Sequence, residues 1–198
     1  MRRAIVVGCG NPLRGDDGVG IAAVRLLRER LRQQDESARQ PDWRLELVEA
    51  DGPGLALLDL LVGAAVALIV DAIATGAPPG TIHRLDGAAL AAANGQQRLS
   101  SHHAGLATAL ALGRALFPEQ WPSIVAIWGI EPASVRLGDP LSPPVAAALA
   151  KLVAHLHEEL GSTSTIKIAN EQGTTLRSAV RSSPGSRSST PRRRVPSR

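Results

Sequence analysis

The chain has 198 residues, of which 44% are apolar and 20% charged, as is ordinary for a globular domain in water. This length suggests one domain with room for an appendage. The single cysteine, Cys9, excludes an internal disulfide and fits a reducing compartment. We find no secretory signal, and the longest apolar stretch is about half of the roughly 20 residues that a membrane span needs, so we expect a cytoplasmic protein without a membrane partner.

Basic charge is concentrated at the end of the chain. Residues 161–198 hold eight Lys or Arg and one acid, which leaves 14 basic and 17 acidic residues in 1–160. A nucleic-acid-binding face on the folded domain 1–160 is therefore not expected. The Ser-, Arg- and Pro-rich tail 161–198 is predicted to be disordered, and nucleic-acid binding by this tail alone is an alternative function.

Apolar blocks alternate with helical patterns along residues 1–160. Apolar runs typical of strands occupy residues 4–7, 43–49, 66–71 and 123–129, with a short extra strand at 81–85. Apolar residues at helical spacing predict helices over 19–31, 54–61, 105–116 and 142–160, the last of them capped by Ser142. This alternation predicts an α/β domain whose mostly parallel sheet is covered on both faces.

Carboxylates follow the first three predicted strands. Asp16 and Asp17 follow the first strand, Asp51 follows the second, and Asp71 ends the third. In open α/β sheets ligands bind beyond the carboxyl ends of the strands, so these acids are candidates for one site. The first loop, GCGNPLRGDDGVG at 8–20, lacks the third glycine of a dinucleotide motif, where Leu13 stands instead. Two acids at a helix start would also repel phosphate, which makes nucleotide binding the weaker hypothesis.

Each acid also has a structural interpretation. Acids are favoured at helix N-termini, and one division of roles is that Asp16 caps the helix while Asp17 faces the cleft. Asp71 follows a run that should be buried on both faces, where an unpaired carboxylate is costly. A strand-terminal acid can instead accept backbone amides from the next loop. Cys9 is interpreted as a small residue packed under a tight loop rather than as a nucleophile.

Histidines supply the remaining candidate ligands. His102 and His103 precede the predicted helix 105–116, and neutral imidazole is a common ligand of borderline divalent metals. A lone loop histidine is more often simply exposed to solvent, so either residue alone is a weak candidate. His83 lies on the predicted extra strand with no acidic neighbour in the pattern. His155 and His157 are two apart on a helix and cannot share a face.

The motifs follow one another in a specific order. After the loop at 8–20 come DG at 51–52, LIVDA at 68–72, SHHAGL at 101–106, and GIEP at 129–132 leading to LSP at 141–143. This set resembles the hydrogenase maturation proteases, endopeptidases that remove the C-terminal extension of the nickel-iron hydrogenase large subunit after nickel insertion. The resemblance covers residues 4–158 and implies a three-layer α/β/α fold with a central, mostly parallel, five-stranded twisted sheet.

The resemblance also implies a site. Asp17, Asp71 and His102 would be the catalytic and metal-recognising residues, and His102 is chosen because it lies three residues before Gly105. The residues implied to line the substrate cleft are Asn11, Asp16, Asp51 and Gly52. The metal would be a divalent ion, nickel supplied by the substrate, and the partner a nickel-iron hydrogenase large-subunit precursor. The alternative is a non-catalytic module that binds or inspects a metallocentre.

Overall fold

One five-stranded sheet organises the computed structural model, which describes residues 2–33, 43–52, 54–92 and 101–161, with the backbone alone described at 91–92 and 101–104. Its strands are β1 (Arg2–Cys9), β2 (Trp43–Ala50), β3 (Val66–Ala72), β4 (Ile82–Asp86) and β5 (Ile124–Ile130). Their order is β2-β1-β3-β5-β4. Every pairing is parallel except that of β4 with β5. The predicted α/β class with a mostly parallel five-stranded sheet is confirmed.

Helices connect the strands. They are α1 (Val19–Arg32), α2 (Leu57–Leu61), α3 (Gly87–Ala92), α4 (Ser101–Leu116) and α5 (Pro143–Gly161), with a 3-10 turn at Gly15–Gly18 before α1. The elements up to Glu158 belong to one compact unit, Met1–Glu158. The predicted tail 161–198 lies outside the described residues except for Gly161.

The register of the sheet assigns helices to both of its faces. Gly8, Val70 and Trp128 are paired across β1, β3 and β5, so they share one face. On this face a Cβ at Gly8 would meet α1, and the Trp128 ring stacks on His155 of α5 at 5.3 Å. The opposite face carries an apolar core of its own, where residues such as Ile69 pack with α2 and α4.

A close approach between α1 and the strand ends positions the first loop. A Cβ at Gly20 would clash with the carbonyl oxygens of Val70 and Cys9. Glycine is therefore required for the first turn of α1 to rest directly on the carboxyl ends of β1 and β3. The residues just before α1, including Asp17, are thereby held at the edge of the sheet where Asp71 ends its strand.

Some predicted element boundaries differ from the structure. Helix α4 begins at Ser101 rather than Gly105, so His102 and His103 belong to its first turn and not to a loop. Helix α3 was not predicted; it is short, and Asp86 stabilises its start by accepting from the amides of the second and third helical residues. The regular part of α2 begins at Leu57, three residues later than predicted.

Candidate active site

Asp71 is the most unusual carboxylate among the described residues. Only 1% of Asp71 is exposed to solvent, and its Oδ1 accepts a hydrogen bond from the Ala72 amide at 2.9 Å. The other oxygen, Oδ2, is buried and has no hydrogen-bond partner in the described part of the chain. Buried carboxylate oxygens nearly always have a partner, so an orphan of this kind indicates a position where another group binds.

Burial changes the acidity of Asp71. Removal of the carboxylate from water raises its pKa from 3.8 to about 7, against the opposing effect of the Ala72 amide. The negative charge of Asp17 raises the pKa further. The charge of Asp17 therefore acts on Asp71, and the carboxyl group of Asp71 titrates near neutral pH in the folded protein.

Asp17 is held by the loop that it terminates. Its Oδ2 accepts from the Asn11 amide at 3.0 Å, and the side chain of Asn11 in turn accepts from the Leu13 amide at 2.9 Å. The loop turns at Gly10, whose φ of 118° is in a region that side chains rarely adopt. Asp17 is half-buried, so it retains access to solvent beside Asp71. Asn11 thus orients the carboxylate.

Asp16 has a different role from its neighbour. The residue is fully buried and accepts from the Ala133, Ser134 and Ser142 amides and the Ser142 hydroxyl at 2.7–3.0 Å. Burial alone would raise its pKa, but these hydrogen bonds outweigh burial and hold the pKa below its ordinary value. The predicted helix cap is wrong, because α1 begins at Val19 after Gly18 with no side-chain cap, and Asp16 instead joins two loops. Ser142 lies directly before α5 as predicted, and its carbonyl accepts from the Ala146 amide while its hydroxyl donates to Asp16.

The end of β2 lies beside the same loop. Gly10 donates its amide to the carbonyl of Ala50 at 3.1 Å, which joins the first loop to the last residue of β2. Asp51 follows immediately and is exposed, and Gly52 is half-buried. The described structure therefore brings Asn11, Asp17, Asp51 and Asp71 to one edge of the sheet.

His102 and the predicted trio are only partly described. The backbone of position 102 lies in the first turn of α4, one turn before Leu106, which packs in the core on the same sheet face as Ile69. The side chains of His102 and His103 lie outside the described residues. Among the side chains that are described, no group of three or more His, Cys, Asp or Glu is arranged to hold a metal. The trio of Asp17, Asp71 and His102 stays a prediction.

Glu131 is a buried carboxylate that sequence reasoning missed. It accepts from the Thr75 and Gly76 amides and the Thr75 hydroxyl at 2.8–3.0 Å. Burial raises its pKa less than these hydrogen bonds lower it. His83 Nε2 lies 3.3 Å from Glu131 Oε2, so the statement that His83 lacks an acidic neighbour is wrong. A glutamate directly after a buried strand was the available signal.

Comparison with known proteins gives the family. The family model described as "Hydrogenase maturation protease" (HycI) matches residues 21–159. The chain belongs to this family. A hydrogenase expression/formation protein, HupM of Azotobacter chroococcum mcd 1, is 30% identical over 151 residues, which cover 76% of this chain and 68% of the relative. HupD of Thiocapsa roseopersicina is 26% identical over 175 residues, covering 86% and 73%.

Solved structures of the hydrogenase maturation protease family share the fold. The hydrogenase maturating endopeptidase HybD from E. coli superimposes with a TM-score of 0.64 at 28% identity, covering 82% of this chain and 94% of that one. HybD from Thermococcus kodakarensis, a [NiFe] hydrogenase maturation protease, gives 0.58 at 25% identity, covering 81% and 99%. The resemblance seen in the ordered motifs is thus confirmed. None of the helices in the described ranges is long and apolar enough to cross a membrane.

Proposed function

We propose that the chain is an endopeptidase that removes the C-terminal extension of a nickel-iron hydrogenase large-subunit precursor after nickel insertion. Asp17, Asp71 and His102 recognise the nickel ion that the precursor carries. The single observation that carries this proposal is the buried, unpartnered Oδ2 of Asp71 beside the charge of Asp17. Membership of the hydrogenase maturation protease family supports the reaction and the substrate class.

The acid pair favours a cation on electrostatic grounds. The charge of Asp17 raises the pKa of Asp71, and a positive charge between the two carboxylates would stabilise both in the ionised form. A divalent ion would replace the proton that burial otherwise retains on Asp71. It would also supply the missing partner of Oδ2. An anionic ligand such as a nucleotide phosphate would instead be repelled by the two carboxylates.

The donor types fit nickel as well as a general divalent ion. Imidazole nitrogen suits nickel, zinc and copper, whereas a site of carboxylates alone suits magnesium or calcium. Two carboxylates and one imidazole also leave coordination positions free. Those positions would be filled by the ligands with which the precursor already holds its nickel, so that only a loaded precursor is recognised.

Hydrolysis requires a group that accepts a proton from water. A carboxylate held beside the attacking water is suited to this role, and nickel bound next to Asp71 would lower its pKa from the metal-free value of about 7, so that the side chain is deprotonated when the loaded precursor binds. In the proposed reaction a water oxygen attacks the scissile carbonyl carbon and its proton passes to Asp71. The carbon–nitrogen bond then breaks, and the proton passes to the leaving amine. Asp17, oriented by the Asn11 amide, holds the nickel end of the precursor.

The proposal also covers the residues that line the substrate cleft and the compartment in which the protein acts. Asn11, Asp51 and Gly52 line the substrate cleft next to the acid pair, whereas Asp16 acts beneath it by joining two loops. We propose the cytoplasm as the compartment, since the only cysteine is buried and reduced.

The test is processing of the nickel-loaded precursor, followed by mass spectrometry of its C-terminus. The wild-type chain should shorten the precursor, and Asp17→Asn, Asp71→Asn and His102→Ala should leave it uncut. Asp59→Asn, an exposed acid of α2, and His103→Ala are the matched controls and should process normally. Processing by Asp71→Asn at the wild-type rate would overturn the assigned role. Binding of the precursor by the wild-type chain without any cleavage would favour the metallocentre-inspecting module.

A further inference from the structure

Three exposed apolar residues lie on two neighbouring loops, one of which leads to Asp17. Leu13 is 66% exposed, Val135 is 41% exposed and Leu137 is 76% exposed. Single exposed apolar residues are common on protein surfaces, but a cluster is typical of an interaction site. We call these three residues the apolar loop patch.

Direct hydrogen bonds join the two loops that carry the patch. The Gly138 amide donates to the Leu13 carbonyl at 2.8 Å, and Arg14 Nε donates to the Val135 carbonyl at 3.4 Å. The Gly15 amide donates to the Asp139 carbonyl at 3.1 Å. The patch therefore belongs to one continuous surface, although its two loops are more than 120 positions apart in the chain.

Buried interactions make this surface rigid. Beneath the patch, the carboxylate of Asp16 accepts hydrogen bonds from the second loop, while its own amide donates to the Ser134 carbonyl at 2.9 Å. Asp16 is fully buried, so these bonds are shielded from water. A rigid apolar surface loses little conformational entropy on binding, which favours its use for docking.

Position and charge indicate the occupant. Leu13 is four residues before Asp17, so a partner that covers Leu13 contacts the loop that leads to the acid pair. The two loops add the exposed cations Arg14 and Arg136 to the apolar residues. A partner with apolar side chains flanked by acids would complement this surface.

We infer that the apolar loop patch is the docking surface for the folded body of the large-subunit precursor, next to the segment that is cut. This inference rests on the proposed function, because it takes the precursor as the partner. An endopeptidase that reads a metal inside a folded protein must bind more than the scissile peptide. The patch would supply that contact, and Arg14 and Arg136 would pair with acids of the precursor at its rim.

The test separates docking from chemistry. The double variant Leu13→Ser, Leu137→Ser should raise KM for the nickel-loaded precursor about tenfold or more and leave kcat at saturation unchanged. Leu116→Ser is the matched control, since Leu116 is 58% exposed at the far end of α4. A KM for the double variant within twofold of wild type would overturn the inference.

Two further measurements distinguish the possible failures. Equilibrium binding of the nickel-loaded precursor is measured with the wild-type chain and the double variant, so a wild-type chain that cleaves nothing still tests the patch. Loss of binding in the double variant would then support the docking surface while the proposed function fails. Sedimentation of the chain alone tests a second copy as the occupant. A wild-type dimer that the double variant abolishes would overturn the choice of the precursor.

Discussion

Replacing Asp71 by Asn should make the metal-free protein more stable at alkaline pH. The pKa of Asp71 rises from 3.8 to about 7 on folding because of burial, and a tenfold change in an acid constant is worth about 1.36 kcal/mol. Ionisation of Asp71 therefore costs the folded state about 4 kcal/mol above pH 7. This penalty is absent below pH 3.8 and grows as the pH rises between these two values. Asn carries no charge, so Asp71→Asn removes the pH-dependent part.

The quantity to measure is how the difference in free energy of unfolding between wild type and Asp71→Asn changes with pH. From pH 5 to pH 7 the wild-type protein should lose about 2 kcal/mol relative to Asp71→Asn, which is roughly 4–8 °C in Tm for a domain of this size. Thermal unfolding in chelator at pH 5, 6, 7 and 8 measures it, with Asp59→Asn as the exposed-acid control. The cost of burying an Asn amide is the same at each pH and cancels. Parallel stability curves for wild type and Asp71→Asn would refute the reasoning.

Two other substitutions test the remaining buried acids. Asp16→Asn should lower the free energy of unfolding by roughly 2–4 kcal/mol at pH 7, since an amide cannot accept all of the hydrogen bonds that the carboxylate accepts. Urea unfolding measures this loss, and a loss below about 1 kcal/mol would contradict the structural role of Asp16. Glu131→Gln should cost about 1–3 kcal/mol at pH 7. Because folding lowers the pKa of Glu131, this contribution is present above its ordinary value of 4.5 and is lost as the pH falls, so the gap between Glu131→Gln and wild type should shrink in acid. A gap that is constant with pH would indicate that the charge of Glu131 does not matter.

The strands of the sheet were predictable because each corresponds to a contiguous apolar run in the sequence. Residues 66–71 form a continuous apolar run, as expected of a central strand buried on both faces, and the structure gives β3 as Val66–Ala72. The extra strand at 81–85 follows a Pro-Pro-Gly turn, and it forms the edge strand β4. Strand order and the antiparallel direction of β4 depend on distant pairings, and the sequence pattern did not contain them.

Residues whose partners are far along the chain were predicted less well. Asp16 was assigned to the adjacent helix by a local capping rule, but its partners are 117–126 residues away. Likewise, Glu131 and His83 meet only because β4 folds back beside β5. Helix α4 was predicted over 105–116 from its apolar spacing, whereas the helix of the structure begins four residues earlier, at Ser101. The contacts of Asp16 and Glu131 join distant parts of the chain, so a local sequence pattern does not contain them.

The burial of Asp71 was the expectation that mattered most for the site. A carboxylate after five apolar residues had to be either paired or exposed to a ligand. The structure pairs one of its oxygens with the Ala72 amide and leaves the other without a partner among the described residues. The trio with Asp17 and His102 stays a prediction drawn from the family, since no pattern within a single sequence relates three positions so far apart.

The most direct measurement compares one precursor in two states with the wild-type chain. Nickel-loaded and nickel-free large-subunit precursor are incubated separately with equal amounts of the chain, and the C-terminal mass of each is followed with time. Recognition of the substrate nickel predicts that only the loaded precursor is shortened. Equal rates of shortening for both forms would contradict a role of the acid pair in reading the metal.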